Sequence, residues 1–538
     1  MIQEKNILEI KNMSVFFRNS SSYLWTIEDI NLKVKKGEIL GIIGESGSGK
    51  SLLINSILRP FKHRVFMQFY GEVLFDGINL FDLNDLELQK ISGKRISMIF
   101  QNPQSCLNPH MTLGDQLLEV IKTHDKSTHE ISRKRITQIL QLVEFDQIDR
   151  IFLSYPFEFS GGQLQRFCIA MALVNQPEIL LADEPTSSLD ICHQHQIITL
   201  LKKLNKELNL TIILVTHELS LAYSLCDNLA VMRAGRIIEY NDKKKLFDKP
   251  EQDFTKLLVK VFPNIKLTQS ELIEKIEKNK LEIQRSNNIV LQLEKVTKIY
   301  KKDVGIKEIS LKVHEGESLG VLGRSGCGKT TLVKSICRLN SIQDGNLFWN
   351  GVDVTKMNSK ELIPLRKSVQ LVFQNPLLSL NPQFTAFKTL ENAVKLGNPT
   401  FTKEKILEKI YQLLFLVELT PRILDKYPIE MSGGEQQRLS LARALAQDPK
   451  VIVCDEATSS LDAPILYALL KKLKEIQLKL KMSIVFISHN LLLCADFCDR
   501  LVIIHDGKLV EETTPQRIFK EQRHNETRKI VEANCLFM

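Results

Sequence analysis

Two stretches of this chain hold residues of the types and spacing that bind phosphate: Gly44-Glu45-Ser46-Gly47-Ser48-Gly49-Lys50-Ser51 and Gly323-Arg324-Ser325-Gly326-Cys327-Gly328-Lys329-Thr330. Both fit G-x-x-x-x-G-K-[ST]. Glycines let the backbone curl so that successive N–H groups face one concavity, and a helix start behind them adds partial positive charge. Lys50 and Lys329 supply a full charge for the outer phosphates. Ser51 and Thr330 can offer a hydroxyl to Mg²⁺. One such match arises readily by chance; two in one chain make coincidence a weak explanation.

Other chemistry-bearing residues recur in step with the two loops. Gln101 and Gln374 lie 273 positions apart, Ser160-Gly161-Gly162-Gln163 and Ser432-Gly433-Gly434-Glu435 lie 272 apart, and so do Asp183-Glu184 and Asp455-Glu456, and His217 and His489. The lysines of the phosphate loops are 279 apart. The chain is thus two copies of one unit joined head to tail. Asp183 and Asp455 can hold a Mg²⁺ shell through water, and Glu184 and Glu456 are placed to orient or deprotonate an attacking water. Gln101 and Gln374 each follow a short strand, where a neutral amide can offer oxygen to Mg²⁺ or water. The serine hydroxyl and glycine amides before a helix beginning near Leu164 make a second anion site, and Ser432 to Glu435 repeat that signature.

The elements that position these groups are legible. Ile39-Leu40-Gly41-Ile42-Ile43 and Leu319-Gly320-Val321-Leu322 read as buried strands, each leading through its loop into a helix. Ile179 to Ala182, Val451 to Cys454, Ile212 to Val215 and Ile484 to Ile487 are apolar runs ending at the acids and the histidines. Residues from about 7 to 43 alternate and predict a small antiparallel sheet. From Met111 to about Phe145 the spacing predicts helices, with Leu113, Leu117, Leu118 and Ile121 on one face and Ile136, Ile139, Leu140 and Val143 on another.

Composition sets bounds. Length alone (538 residues) allows about three or four domains. Hydrophobic residues are 43% and charged residues 25%, ordinary for a globular protein. No apolar run approaches the ~18–20 residues of a membrane span, and the N-terminal residues lack a secretory signal pattern, so a cytosolic protein is expected. Ten cysteines without C-x-x-C suit reduced thiols. The net charge of +9 reads as a solvated lysine-rich surface or a face near anionic lipid. No basic stripe with interleaved aromatics appears, so no nucleic-acid partner is expected.

Taken in order, phosphate loop, glutamine, S-G-G-Q/E, Asp-Glu strand, the turns Ser187-Ser188-Leu189-Asp190 and Ser459-Ser460-Leu461-Asp462, and histidine resemble the ATP-binding cassette of ABC transporters. The resemblance covers nearly the whole chain. The runs Gln101 to Pro109 and Gln374 to Pro382, together with Pro250 to Leu258, which looks like a C-terminal extension, are similar to the ATPase subunits of peptide and nickel importers. The resemblance implies an α/β fold of two tandem P-loop cassettes, each with a mainly parallel sheet core, a β-subdomain and a helical subdomain. It implies cassettes at residues 1–265 and 289–538 and a linker at 266–288. It further implies an ATPase using ATP and Mg²⁺ on the cytoplasmic face of the membrane, peripheral to two permease subunits and served by an extracytoplasmic substrate-binding protein.

Within that family an intrachain pseudo-dimer forms, each S-G-G signature closing on nucleotide held by the opposite cassette. His217 and His489 stand where a γ-phosphate sensor is placed. An aromatic stacks on adenine: Phe17 is the candidate in the first copy, with Tyr23 and Trp25 as rivals and plain sheet packing as the alternative, and Tyr300 in the second. Glu435 departs from the usual glutamine, which predicts unequal sites. The rival class is a soluble tandem-cassette ATPase acting on ribosomes, but the join here is short. Thr268 to Glu271 at the join suggests a helix cap, followed by a weakly amphipathic helix through Leu272, Ile276 and Ile283. Thr514 to Met538 is polar and reads as departing from the extension of the first copy. Cys327, at a helix start, reads as a variable loop position that happens to be Cys, with a lowered thiol pKa and a redox role as the alternative.

Overall fold

The computed structural model describes residues 6–18, 23–58, 67–125, 127–187, 189–261, 271, 274, 286–300, 304–373, 376–455 and 463–535; the side chains of 17, 18, 23–25, 261, 463–465 and 535 lie outside that description. The expected helix of the join falls almost wholly outside it. Two compact units divide at about residue 265.

In the first unit, β1 (Asn6–Arg18) pairs antiparallel with β2 (Tyr23–Lys35), and β4 (Met67–Phe75) and β5 (Ile78–Asn79) complete a four-stranded sheet in the order β2-β1-β4-β5. β3 (Ile39–Gly44) belongs to a second sheet with β6 (Ile96–Ile99), β7 (Ile179–Asp183), β8 (Thr211–Val215), β9 (Asn228–Arg233) and β10 (Arg236–Asp242). Its order is β10-β9-β3-β8-β7-β6, parallel except for the edge strand β10. The side chains of β8 show why its sequence is apolar at every position. Ile212 and Leu214 enter one core and Ile213 and Val215 the other, so both faces are covered.

One of those cores joins the main sheet to the antiparallel sheet and to α1 (Lys50–Ile57), through Leu53, Ile54 and Ile57. The other lies under the helices: α2 (Leu113–His124), α3 (His129–Leu142), α4 (Gly161–Leu173) and α5 (Ile191–Leu208). Leu113, Leu117, Leu118, Ile121, Ile136, Ile139, Leu140 and Val143 are all buried there, as their spacing predicts. Thr112 and Thr128 cap the two helices through the amides of Asp115 and Ile131. α6 (Lys243–Asp248) and α7 (Asp253–Val261) follow β10.

The second unit repeats this plan. β11 (Ile289–Ile299), β12 (Gly305–His314), β14 (Asp344–Trp349) and β15 (Val352–Asp353) form the antiparallel sheet. β13 (Ser318–Leu322), β16 (Val369–Val372), β17 (Val451–Asp455), β18 (Ser483–Ile487), β19 (Arg500–His505) and β20 (Lys508–Thr513) form the main sheet in the order β16-β17-β18-β13-β19-β20. α8 (Lys329–Ile336) follows the phosphate loop, and α9 (Ala386–Gly397), α10 (Lys403–Leu416) and α11 (Gly433–Leu445) build the helical layer. α12 (Pro515–Ile518) and α13 (Asn525–Cys535) follow β20.

The C-terminal stretch corrects its reading from sequence. Its helices match α6 and α7, and the anchor repeats at an offset of 272. Glu239, on β10, accepts from the amides of Glu251 and Gln252 at 3.0 Å each. Glu511, on β20, accepts from the amides of Arg523 at 3.2 Å and His524 at 3.0 Å. The buried carboxylate caps the helix that follows, and Ile518, Phe519, Ile530 and Val531 join the core. Polar composition hid these few apolar anchors. Among the described residues no helix is long and apolar enough to cross a membrane.

Candidate active site

The phosphate loop of each unit leaves the central strand of a parallel sheet at its C-terminal end, where ligands gather in open α/β sheets. Gly47 and Gly49 have φ of +78° and +100°, and Gly326 and Gly328 repeat this at +80° and +109°. Other residues are strained in that region. Lys50 folds over its loop and donates to the carbonyls of Gly44 (2.9 Å) and Glu45 (2.8 Å). Lys329 donates to those of Gly323 (2.8 Å) and Arg324 (2.9 Å). Both lysines are buried.

Register brings the remaining groups to the same edge. β7 lies beside β8, which lies beside β3, so Asp183, Glu184 and His217 all emerge next to the loop. Ser51 Oγ donates to Asp183 Oδ1 at 2.9 Å. Glu184 follows with φ of +45°, and its amide donates to the Val215 carbonyl at 2.9 Å. This left-handed turn swings the carboxylate away from the strand. Non-glycine residues hold such backbone only where the surroundings over-determine it. Glu184 Oε2 accepts from Gln101 Nε2 at 2.8 Å, and Oε1 lies 3.0 Å from His217 Nδ1. Three sequence-predicted residues from three loops thus form one chain of contacts around a single carboxylate.

The electrostatics follow from this packing. Burial pushes the Glu184 carboxyl up, but the hydrogen bond and charge of His217, with Lys50 and Gln101, hold it below its ordinary value. Burial pushes His217 down, and contact with Glu184 more than offsets this, so the imidazole sits above its ordinary value. Asp183 is raised, first by burial and also by the neighbouring Glu184 charge, against the pull of Ser51 and Lys50. Ser51 and Asp183 present hard oxygen donors side by side, a set that fits Mg²⁺.

The second unit places Lys329, Thr330, Asp455 and His489 at the corresponding ends of α8, β17 and β18, with Asp455 opposite Ile487 in register. Gln374, Glu456 and the turn from Ser459 to Asp462 lie outside the described residues, as does the side chain of Phe17 with its rivals Tyr23 and Trp25. Tyr300 is 45% exposed, with Asn340 donating to its hydroxyl at 2.9 Å and the Lys298 amine 5.5 Å from its ring centre.

Both signatures open helices with reciprocal caps. Ser160 Oγ accepts from the Gln163 amide, and Gln163 Oε1 accepts from the Ser160 amide at 3.0 Å. Gly162 lies against the His193 ring, which a Cβ there would meet at 2.6 Å, and Asp190 holds that ring at 2.9 Å. In the second copy Glu435 Oε2 accepts from the Ser432 amide at 2.8 Å, and its Oε1 accepts from Lys426 Nζ at 3.2 Å. Burial pushes the Glu435 carboxyl up, while the Ser432 amide and Lys426 bring it below its ordinary value. Lys426 is a functional candidate that the sequence reading missed. The signal was available across the repeat: Ser154 and Gln163 in one copy become Lys426 and Glu435 in the other.

At Cys327 the alternative reading, a lowered thiol pKa, does not hold. Its thiol is buried, and burial raises its pKa despite Lys329 nearby. A Cβ at Gly323 would lie 2.5 Å from its sulfur, so the side chain fills the interior of the loop.

Comparison with known proteins finds relatives along nearly the whole chain. The ABC transporter family model matches residues 27–187 and 306–459. The uncharacterized ABC transporter ATP-binding protein YejF of Escherichia coli K12 is 35% identical, covering 98% of this chain and 99% of its own. The peptidoglycan transport ATP-binding protein YejF of Agrobacterium fabrum is 31% identical over 98% of this chain and 96% of its own. The glutathione import ATP-binding protein GsiA of Salmonella choleraesuis is 29% identical over 99% and 90%.

Proposed function

This chain belongs to the ABC transporter family as an ATPase with two fused cassettes, and from that premise we propose that it powers the import of small peptide-like solutes through separate membrane permeases. The observation that carries the reading is the end-to-end likeness, both cassettes included, to relatives named for glutathione import and peptidoglycan transport. That likeness favours transport over action on ribosomes. A substrate-binding protein outside the membrane and a seat for this chain on the cytosolic face complete the proposal.

The proposed chemistry uses the residues in order. Phosphate oxygens replace the Gly44 and Glu45 carbonyls as acceptors for Lys50, while the loop amides cradle the phosphates. Ser51 and Asp183, and Thr330 and Asp455 in the second unit, would hold Mg²⁺, which when bound neutralises phosphate charge. Glu184 orients a water against the γ-phosphorus and takes its proton. The new P–O bond forms as the bond to the ADP oxygen breaks, and the proton passes on to phosphate. Gln101 and His217 keep the carboxylate aimed, and His217 is the γ-phosphate sensor. Gln374, Glu456 and His489 take these parts in the second unit. Ser160 to Gln163 and Ser432 to Glu435 serve as further phosphate-contacting signatures, and Phe17 and Tyr300 as adenine platforms. Such catalysis is positioning and charge stabilisation.

The test is cell fractionation with uptake. A strain lacking this chain is expected to lose uptake of short labelled peptides, and the chain is expected in the membrane fraction when its permeases are co-expressed. Sedimentation with ribosomes and unchanged uptake would favour the rival class.

A further inference from the structure

The two phosphate loops differ in charge at one position: Glu45 in the first, Arg324 in the second. Arg324 is tied to the C-terminal helix α13. Its Nε lies 3.7 Å from Glu526 Oε1. The Glu526 side chain is only 4% exposed, and that oxygen has no hydrogen-bond partner among the described residues. Lys529 Nζ and His505 Nδ1 stand 3.8 and 3.9 Å from the other oxygen. A carboxylate this dry depends on Arg324 and Lys529 for compensation, and losing either leaves the buried charge poorly compensated.

The first unit is built otherwise. The position 272 residues before Glu526 is Phe254, buried, with the Arg233 guanidinium 4.7 Å over its ring centre. An apolar seat there replaces the acid. Arg324 also has a second role: its carbonyl accepts from Lys329 Nζ. The residue anchored to α13 by its side chain is therefore one of the two, with Gly323, that hold the phosphate-loop lysine by their carbonyls. A ligand that takes Lys329 releases the Arg324 carbonyl, in the residue whose side chain meets Glu526.

We infer that the Arg324–Glu526 ion pair couples docking of the C-terminal helix to nucleotide occupancy of the second phosphate loop, with no such coupling in the first. Glu526 is a positioning residue. The inference rests on the reading that both loops bind ATP. Phosphate fixes the loop backbone, which keeps Arg324 against Glu526 and suppresses openings of α13 that strand the carboxylate. Coupling between sites is reciprocal, so the helix also sets affinity at that loop.

Hydrogen exchange on the full chain tests this, with Mg²⁺ and a non-hydrolysable ATP analogue, AMP-PNP, as probe. Exchange in residues 525–535 is expected to slow about fivefold or more on saturation, in wild type and in Lys50→Ala but not in Lys329→Ala. Residues 253–261 are expected to be indifferent. Glu526→Gln should abolish the response at 525–535 while residues 323–330 still report bound nucleotide. Unchanged or faster exchange at 525–535, or a response that survives Glu526→Gln, would overturn the inference alone. No protection at either 44–51 or 323–330 would overturn the nucleotide reading of the loops and this inference with it.

Discussion

Replacing Glu184 and Glu456 with glutamine separates binding from chemistry. Both oxygens of Glu184 are engaged, one by Gln101 at 2.8 Å and one by His217 at 3.0 Å. Glutamine keeps the volume and still offers an oxygen to His217, and a rotated Gln101 amide can meet its NH₂ group. Exchanging charge-assisted hydrogen bonds for neutral ones forfeits about 1 kcal/mol, which for a unit of this size lowers Tm by about 2–4 °C. The lost base is a different matter. General-base catalysis contributes about 10²-fold or more, close to 2.7 kcal/mol of barrier. The assay is phosphate release at saturating MgATP by the Glu184→Gln/Glu456→Gln variant, with ATP binding measured in parallel. A variant that binds ATP and hydrolyses it within about threefold of wild type would refute the assignment.

Two further outcomes follow from the structure. Glu239 is pushed up by burial but held below its ordinary value of 4.5 by the amides of Glu251 and Gln252. A lowered folded pKa gives stability that is present above 4.5 and lost as pH falls through the folded value. Glu239→Gln should therefore lower Tm at pH 7 and close the gap with wild type on acidification; calorimetry showing a constant or widening gap contradicts this. At the second signature, Lys426→Ser removes the partner of Glu435, and turnover is expected to fall about two- to fivefold, as befits a half-exposed pair. Adding Glu435→Gln gives the second signature the residues of the first, serine and glutamine as at Ser154 and Gln163, and should restore activity; persistent loss in ATPase assays would show that the unpartnered carboxylate is not the cause.

The candidate site was legible because its polar residues each follow an apolar strand, and a parallel sheet gathers strand ends. Lys50, Asp183 and Glu184 could be named from that pattern, whereas His217 was singled out by the resemblance to ATP-binding cassettes. Their mutual contacts could not: the left-handed turn at Glu184 and the reach of Gln101 across the sheet leave no trace in periodicity. The C-terminal helices were misread for a related reason. Their anchor is a single buried acid, Glu511, on the preceding strand, joined to amides twelve and thirteen residues on. A contact of that kind shows only when the copies are laid against each other, and the same comparison exposes Lys426 and Glu526.

The central claim is that each half of the chain binds its own nucleotide. Equilibrium titration of the full chain with AMP-PNP and Mg²⁺ measures this directly. Two molecules bound per chain, falling to about one in either Lys50→Ala or Lys329→Ala, is the predicted result. A single molecule per wild-type chain, or two that persist in both variants, would contradict it.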